Sequence, residues 1–266
     1  MSALTATATT IRPATLDYVL TYAQLELRRA FRNRRYVMFG VGFPVLFYLL
    51  YTGILQRGQQ AGTIEGTPWS AYFMVSMAAY GAMVAGLFSA QVIAVERSQG
   101  WVRLLRVTPL PPAVYVGTKL LVSFVVTLPA VLLVTVAGVV VNHVDVAPLN
   151  LAEVVVALVI GSLPFAALGI LLGYVLDSNS AQGGVMLTNF GLAILGGLWA
   201  PTASFPDALV TIAHVLPSFH FANLGWAAVA GRLPDVVDIA VLAGYTVVIG
   251  ALVFWRYRRD EQRARG

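Results

Sequence analysis

The sequence has no cysteine, one lysine and few charges of either sign. Without cysteine it can build neither a disulfide framework nor a thiolate metal site. Charged residues make up 11% of the 266, against about 25% in a typical soluble domain. Hydrophobic residues make up 58%, and the mean hydropathy is +0.78. A surface this poor in charge does not stay dispersed in water, so lipid is the natural solvent of the chain. The single lysine lies in Gly117-Thr118-Lys119, which is not the GxxxxGK[ST] of a phosphate-binding loop, so no nucleotide-hydrolysing site is expected. G-x-S-x-G, H-E-x-x-H and a strand-borne G-x-G-x-x-G are also missing. His214 and His220 are six apart with Pro217 between them, which is no metal-ligand spacing; with His143 they read as satisfied polar groups near an interface.

What is present is a set of six long apolar stretches: 37–55, 71–95, 120–141, 154–176, 183–200 and 236–255. A hydrocarbon core of about 30 Å takes about 20 helical residues, so each is read as a crossing. The runs are continuous rather than alternating, which excludes a β-barrel. Their only formal charge is Asp238, at the edge of the last, where it would reach the headgroups. A carrier coupled to protons or sodium keeps an ionisable residue near the midplane; none is expected there, which argues against a secondary transporter or a channel with a charged filter.

Arg12, Arg28, Arg29, Arg32, Arg34 and Arg35 precede the first stretch. Arg97, Arg103, Arg106 and Lys119 separate the second and third, and Arg256, Arg258, Arg259, Arg263 and Arg265 follow the sixth. Only Arg57 and Arg232 fall on the other side. This bias places both termini in the cytoplasm of a multi-pass protein of the cell membrane, and it accounts for the net charge of +5 without nucleic acid. The organisation expected is a flexible start (1–15), an amphipathic connecting helix along the membrane surface (16–35), a six-span domain (36–255) and a basic tail (256–266). Residues 1–13 lack the apolar core of a secretory signal, so no processing is expected. In the connecting helix Leu16, Val19, Leu20, Ala23, Leu27, Ala30 and Phe31 share a face, and Arg28, Arg32 and Arg35 lie off it, toward anionic lipid. Between spans five and six, Pro201, Pro206, Pro217 and Pro234 divide the apolar run. Two short re-entrant helices are expected there, about 207–215 and 219–230, entering the outer leaflet without crossing it.

The segment from Glu96 through Arg97, Gly100, Trp101, Arg103, Leu104, Leu105 and Arg106 to Thr108-Pro109 continues span two, breaks at the glycine and resumes as a short amphipathic helix. An aromatic and two leucines on one face of a cytoplasmic loop suit insertion into a partner's groove. This order of an acidic residue, Gly, a hydrophobic helix and Thr-Pro resembles the coupling loop of type-2 ABC transporter permeases, the group of daunorubicin-resistance-type and nodulation-type exporters. Gly196-Gly197-Leu198-Trp199-Ala200-Pro201, Phe205-Pro206 and Leu216-Pro217 resemble the same family's span-five exit and extracellular helices. Ser218-Phe219-His220-Phe221-Ala222-Asn223 departs from the family, where a Tyr is common and a basic residue closes the element; here Arg232 comes late.

The resemblance covers residues 16–255 and implies an all-α integral membrane subunit that is not itself an enzyme. Two permease chains, identical or related, would sit on two cytoplasmic ATPase subunits, which would hold the ATP and Mg; no cofactor is expected on this chain. Glu96, Arg97, Gly100, Trp101, Arg103, Leu104, Leu105, Thr108 and Pro109 would form the ATPase-coupling element. Spans one, two and five would flank the cargo path, where Phe47, Tyr48, Tyr80, Asn189 and Phe190 are candidates; Tyr51 reads better as an interfacial aromatic. A path of aromatic and aliphatic groups suits a hydrophobic or amphipathic small molecule, drug-like or lipid-like, leaving the cytoplasm or inner leaflet. A lipid-linked glycan, or a subunit that recruits an ATPase without transporting, are the alternatives. A membrane-embedded enzyme would need a catalytic cluster that the sequence does not show. Gly169 and Gly173 form a GxxxG pair read as a helix-packing contact within the chain.

Overall fold

The computed structural model describes residues 15–55, 62–64, 66–100 and 112–263. Those residues are almost wholly helical. Helix α1 (Thr15–Arg32) is followed by the short α2 (Arg34–Tyr36), a π turn (Val37–Gly42), α3 (Phe43–Leu50) and a second π turn (Tyr51–Leu55). A two-residue hairpin, β1 (Thr63–Ile64) and β2 (Thr67–Pro68), leads into α4 (Trp69–Leu87) and α5 (Ser89–Ser98). Then come α6 (Pro112–Val141), α7 (Pro148–Gly161), α8 (Leu163–Val175), α9 (Ala181–Leu195), α10 (Asp207–Ala213), α11 (Pro217–Val229) and α12 (Val236–Arg263).

Four helical units are long and apolar enough to cross a membrane: Trp69–Ser98, Tyr115–Val141, Pro148–Val175 and Val236–Arg256. They coincide with four of the six expected crossings. The other two differ in kind. The first, Val37–Gly53, is bent by 70° from the preceding helix and interrupted by π turns. Pro44 supplies a cause, since it has no N–H to donate and its ring presses on the carbonyl four residues back, so the preceding turn widens. The fifth, α9, has 15 residues, a rise of about 22 Å, and stops where Gly197 takes a positive φ of 81°. Between it and α12 lie α10 and α11, bent by 83° across Pro217.

The centre of the bundle is α4, buried on every side from Ala71 to Leu87 except at Val84 and enclosed by α3, α6, α8 and α11. Its small residues let neighbouring backbones come close. Gly169 and Gly173 of α8 face this element and α5. A Cβ at Gly169 would lie 2.6 Å from the Gly86 carbonyl oxygen, and one at Gly173 would lie 2.7 Å from the Ile93 Cβ. The GxxxG pair therefore serves packing inside the chain. At the other extreme α12 lies at the periphery, with Val247 71% exposed on its outer face. The turn into α9 is tied by Asp177, whose carboxylate accepts from the Ser180 amide and hydroxyl and the Asn179 amide; those bonds hold it below the usual carboxylate range.

Candidate functional site

At the end of the bundle where α5 finishes and α6 begins, three helices meet on a buried ionic cluster. Helix α1 presents Ala23, Glu26 and Ala30 inward at three- and four-residue spacing, so the carboxylate rides on the buried stripe. Lys119 of α6, 2% exposed, donates to Glu26 Oε2 at 2.6 Å and to Glu96 Oε1 of α5 at 2.9 Å. One turn earlier on α6, the Tyr115 hydroxyl donates to Glu96 Oε2 at 2.7 Å. Arg29 closes the group from the solvent side, 3.1 Å from Glu26 and 3.6 Å from Glu96. Two carboxylates thus balance two cations. Burying charges is costly unless each is paired and hydrogen-bonded, and here each is. Tyr22 stacks on Tyr115, and its phenol is pushed up by burial and then by the Glu26 and Glu96 charges.

The neighbouring Arg97 takes a different partner, donating to the Gly173 and Tyr174 carbonyls at 3.1 and 2.6 Å. Those carbonyls belong to the last turn of α8, which a cation satisfies well. Gly100 then adopts a φ of 72° and ends α5. Trp101, Arg103, Leu104, Leu105, Thr108 and Pro109 lie outside the described residues. In the connecting helix Arg28 and Arg32 are exposed, while the Arg35 side chain lies outside the described residues. A cavity of about 590 Å³ opens beside the cluster, with Arg29, Asn33, Gln91 and Gln99 on its polar wall and Phe88, Val92 and Val122 on its apolar one.

A second, smaller cavity of about 160 Å³ lies between the Tyr36–Phe43 stretch, α4 and α9. Tyr80, Asn189 and Phe190 line it together, joined by Tyr36, Phe39 and Phe43. Phe47 lies beside it, its ring 5.5 Å from Phe43 and 5.2 Å from Trp199, which also touches Tyr80 and Phe190. Tyr48 points elsewhere: it is fully buried in the core, and its hydroxyl donates to the Ser70 carbonyl. Asn189 is 5% exposed, and its Oδ1 has no partner among the described residues.

Glu26 and Lys119 escaped the reading of the sequence, which counted the lysine as a topological cation. Two signals were available: a lone lysine in the whole chain, and a glutamate in register with the apolar stripe of an amphipathic helix. Asp238 also differs from expectation. Rather than turning outward, it is 3% exposed and bonded inward to α11. Among the described residues no group of three or more His, Cys, Asp or Glu could hold a metal ion.

A family model described as "ABC-2 family transporter protein" matches residues 59–255. The "Putative transport permease YvfS" of Bacillus subtilis (strain 168) is 28% identical over 240 residues, which cover 90% of this chain and 96% of that relative.

Proposed function

Because the chain belongs to the ABC-2 family of transporter proteins, a multi-pass membrane family, we propose that it is the permease subunit of an ATP-driven exporter. Two copies, or this chain and a related one, stand on two cytoplasmic ABC ATPases, with six crossings and both termini in the cytoplasm. The cargo is a hydrophobic or amphipathic small molecule, and ATP and Mg are held by the partner.

The observation that carries this reading is the Glu26–Lys119–Glu96 cluster. It clasps α1 to the last turn of α5 and the start of α6, the two helices that bracket the 101–111 segment. A push on that segment from an ATPase cannot be absorbed locally. It passes through α5 into α4, the centre of the bundle, and through Arg97 into α8. The aromatic cavity touching α4 and α9 is then the place where such movement would reach cargo, and its lining has no formal charge to reject an apolar molecule.

Co-purification from detergent with a co-expressed ABC ATPase from the same source, followed by dye flux from vesicles, tests the proposal. The unmodified chain should retain the ATPase and support ATP-dependent flux of an amphipathic dye. Leu104→Asp/Leu105→Asp should insert normally and lose the ATPase. Failure of the unmodified chain to hold any ATPase would overturn the exporter reading, and ATPase binding without flux would favour a recruiting subunit.

A further inference from the structure

At the end of the bundle opposite the Lys119 cluster, His220 of α11 is buried between two hydrogen-bond acceptors. Its Nδ1 lies 2.6 Å from Asp238 Oδ1 on α12, and its Nε2 lies 2.8 Å from the His214 carbonyl oxygen. A neutral imidazole carries one N–H and can serve one of these contacts only. With an ionised Asp238, the other nitrogen would present its lone pair to an oxygen lone pair in a buried site. Both contacts are satisfied when the pair holds one further proton. Either the imidazolium donates twice, or a protonated Asp238 donates to Nδ1 while Nε2–H donates to the carbonyl. Asn223 Nδ2 donates to Asp238 Oδ2 at 2.8 Å in both cases.

We infer that His220 and Asp238 form a proton-binding site that locks α11 onto α12, and that loss of the proton loosens α11 at this end of the bundle. The site's surroundings leave the proton to this pair. Helix α4, packed along α11, carries no Asp, Glu, Lys, Arg or His, and neither does α9. On α12 the next titratable group is Tyr245, which donates to the Val215 carbonyl. Asp207 of α10, the His214 ring, Asp235, Arg232 and Glu153 of α7 are all exposed, and Asp235 accepts from the Val237 amide. Asp238→Asn provides an isosteric control. Its amide donates to Nδ1 and its oxygen accepts from Asn223, so every bond is made with a neutral imidazole.

The absence of native cysteine makes the test direct. Ala222→Cys places a thiol on the fully buried face of α11, and Leu233→Cys, at 93% exposure, reports the intrinsic effect of pH on the thiol. In nanodiscs, maleimide labelling of Ala222→Cys relative to Leu233→Cys should rise with pH, by up to about tenfold per pH unit if one proton is linked to opening. Added to Ala222→Cys, Asp238→Asn should flatten that profile. Equal profiles with and without Asp238→Asn would overturn the proposal. Nitrogen-15 spectra of the His220 ring together with carbon-13 spectra of the Asp238 carboxyl in the unmodified chain decide the matter even if the variant fails to fold. A doubly protonated His220 ring, or a singly protonated ring beside a protonated carboxyl, is expected while α11 is docked. A singly protonated ring beside an ionised Asp238, with α11 still docked, would overturn it.

Discussion

The two ends of the bundle each bury an acid–base cluster, and they are built on different chemistry. At one end Lys119 supplies three N–H donors to two carboxylates, and Tyr115 and Arg29 add further donors, so the acceptors are amply served. At the other end His220 has two ring nitrogens facing two acceptors, and the contacts balance only with a proton that water can remove. The first arrangement is a strut of charge-assisted hydrogen bonds, each acceptor met by its own donor. The second is a latch. Burial and distances are similar at both ends; what separates them is how many donors the base owns for the acceptors it faces.

That contrast breaks most visibly at Lys119. Lys119→Met leaves Glu26 and Glu96 buried with only the half-exposed Arg29 beside them and should cost about 3–5 kcal/mol, read as a large drop in melting temperature in detergent. The triple variant Glu26→Gln/Glu96→Gln/Lys119→Met removes the three buried charges together, leaving only the half-exposed Arg29, and should recover most of that loss. If the single variant melts like the unmodified protein, the cluster is not the strut described.

A smaller effect sharpens the other side. On the proposed latch, the docked pair carries a proton that undocking releases, so stability should fall as pH rises. Melting temperature measured from about pH 6 to 9 should therefore slope downward, and the slope should shrink in Asp238→Asn. A slope that persists unchanged would assign it to other groups.

The smallest change concerns redundancy at the strut. Tyr115→Phe removes one donor from Glu96 while Lys119 remains, and should cost about 1.5 kcal/mol, visible as a modest shift in the chemical or thermal midpoint. A loss as large as that of Lys119→Met would mean that the phenol, not the lysine, holds Glu96.

The helices were legible where a physical constraint acts on the local sequence. Trp69–Ser98, Tyr115–Val141, Pro148–Val175 and Val236–Arg256 fall on the expected stretches because hydropathy over some 20 residues is itself the force that places them. The weak points were those where packing competes with length. The first expected crossing contains π turns at Val37–Gly42, just before Pro44, and at Tyr51–Leu55, and α9 ends at Leu195, five residues before the apolar run ends at Ala200. For the site, the resemblance, which implied a path between spans one, two and five, already pointed to Tyr80, Asn189 and Phe190, which line one cavity. It could not orient Tyr48, whose neighbour Phe47 faces the aromatic group while Tyr48 turns into the core.

Composition and charge distribution alone determine that this chain lives in lipid as a helical bundle, because the cost of exposing peptide groups and charges to hydrocarbon acts on every residue regardless of its neighbours. Which ionisable residues meet is another matter. Glu26, Glu96 and Lys119 are separated by tens of residues, as His220 and Asp238 are by 18, and single helices give no sign that they pair. Only the tertiary packing of α1 on α5 and α6, and of α11 on α12, brings their side chains within hydrogen-bonding distance. Inside a low-dielectric bundle that closeness decides which charges form a permanent strut and which share a removable proton.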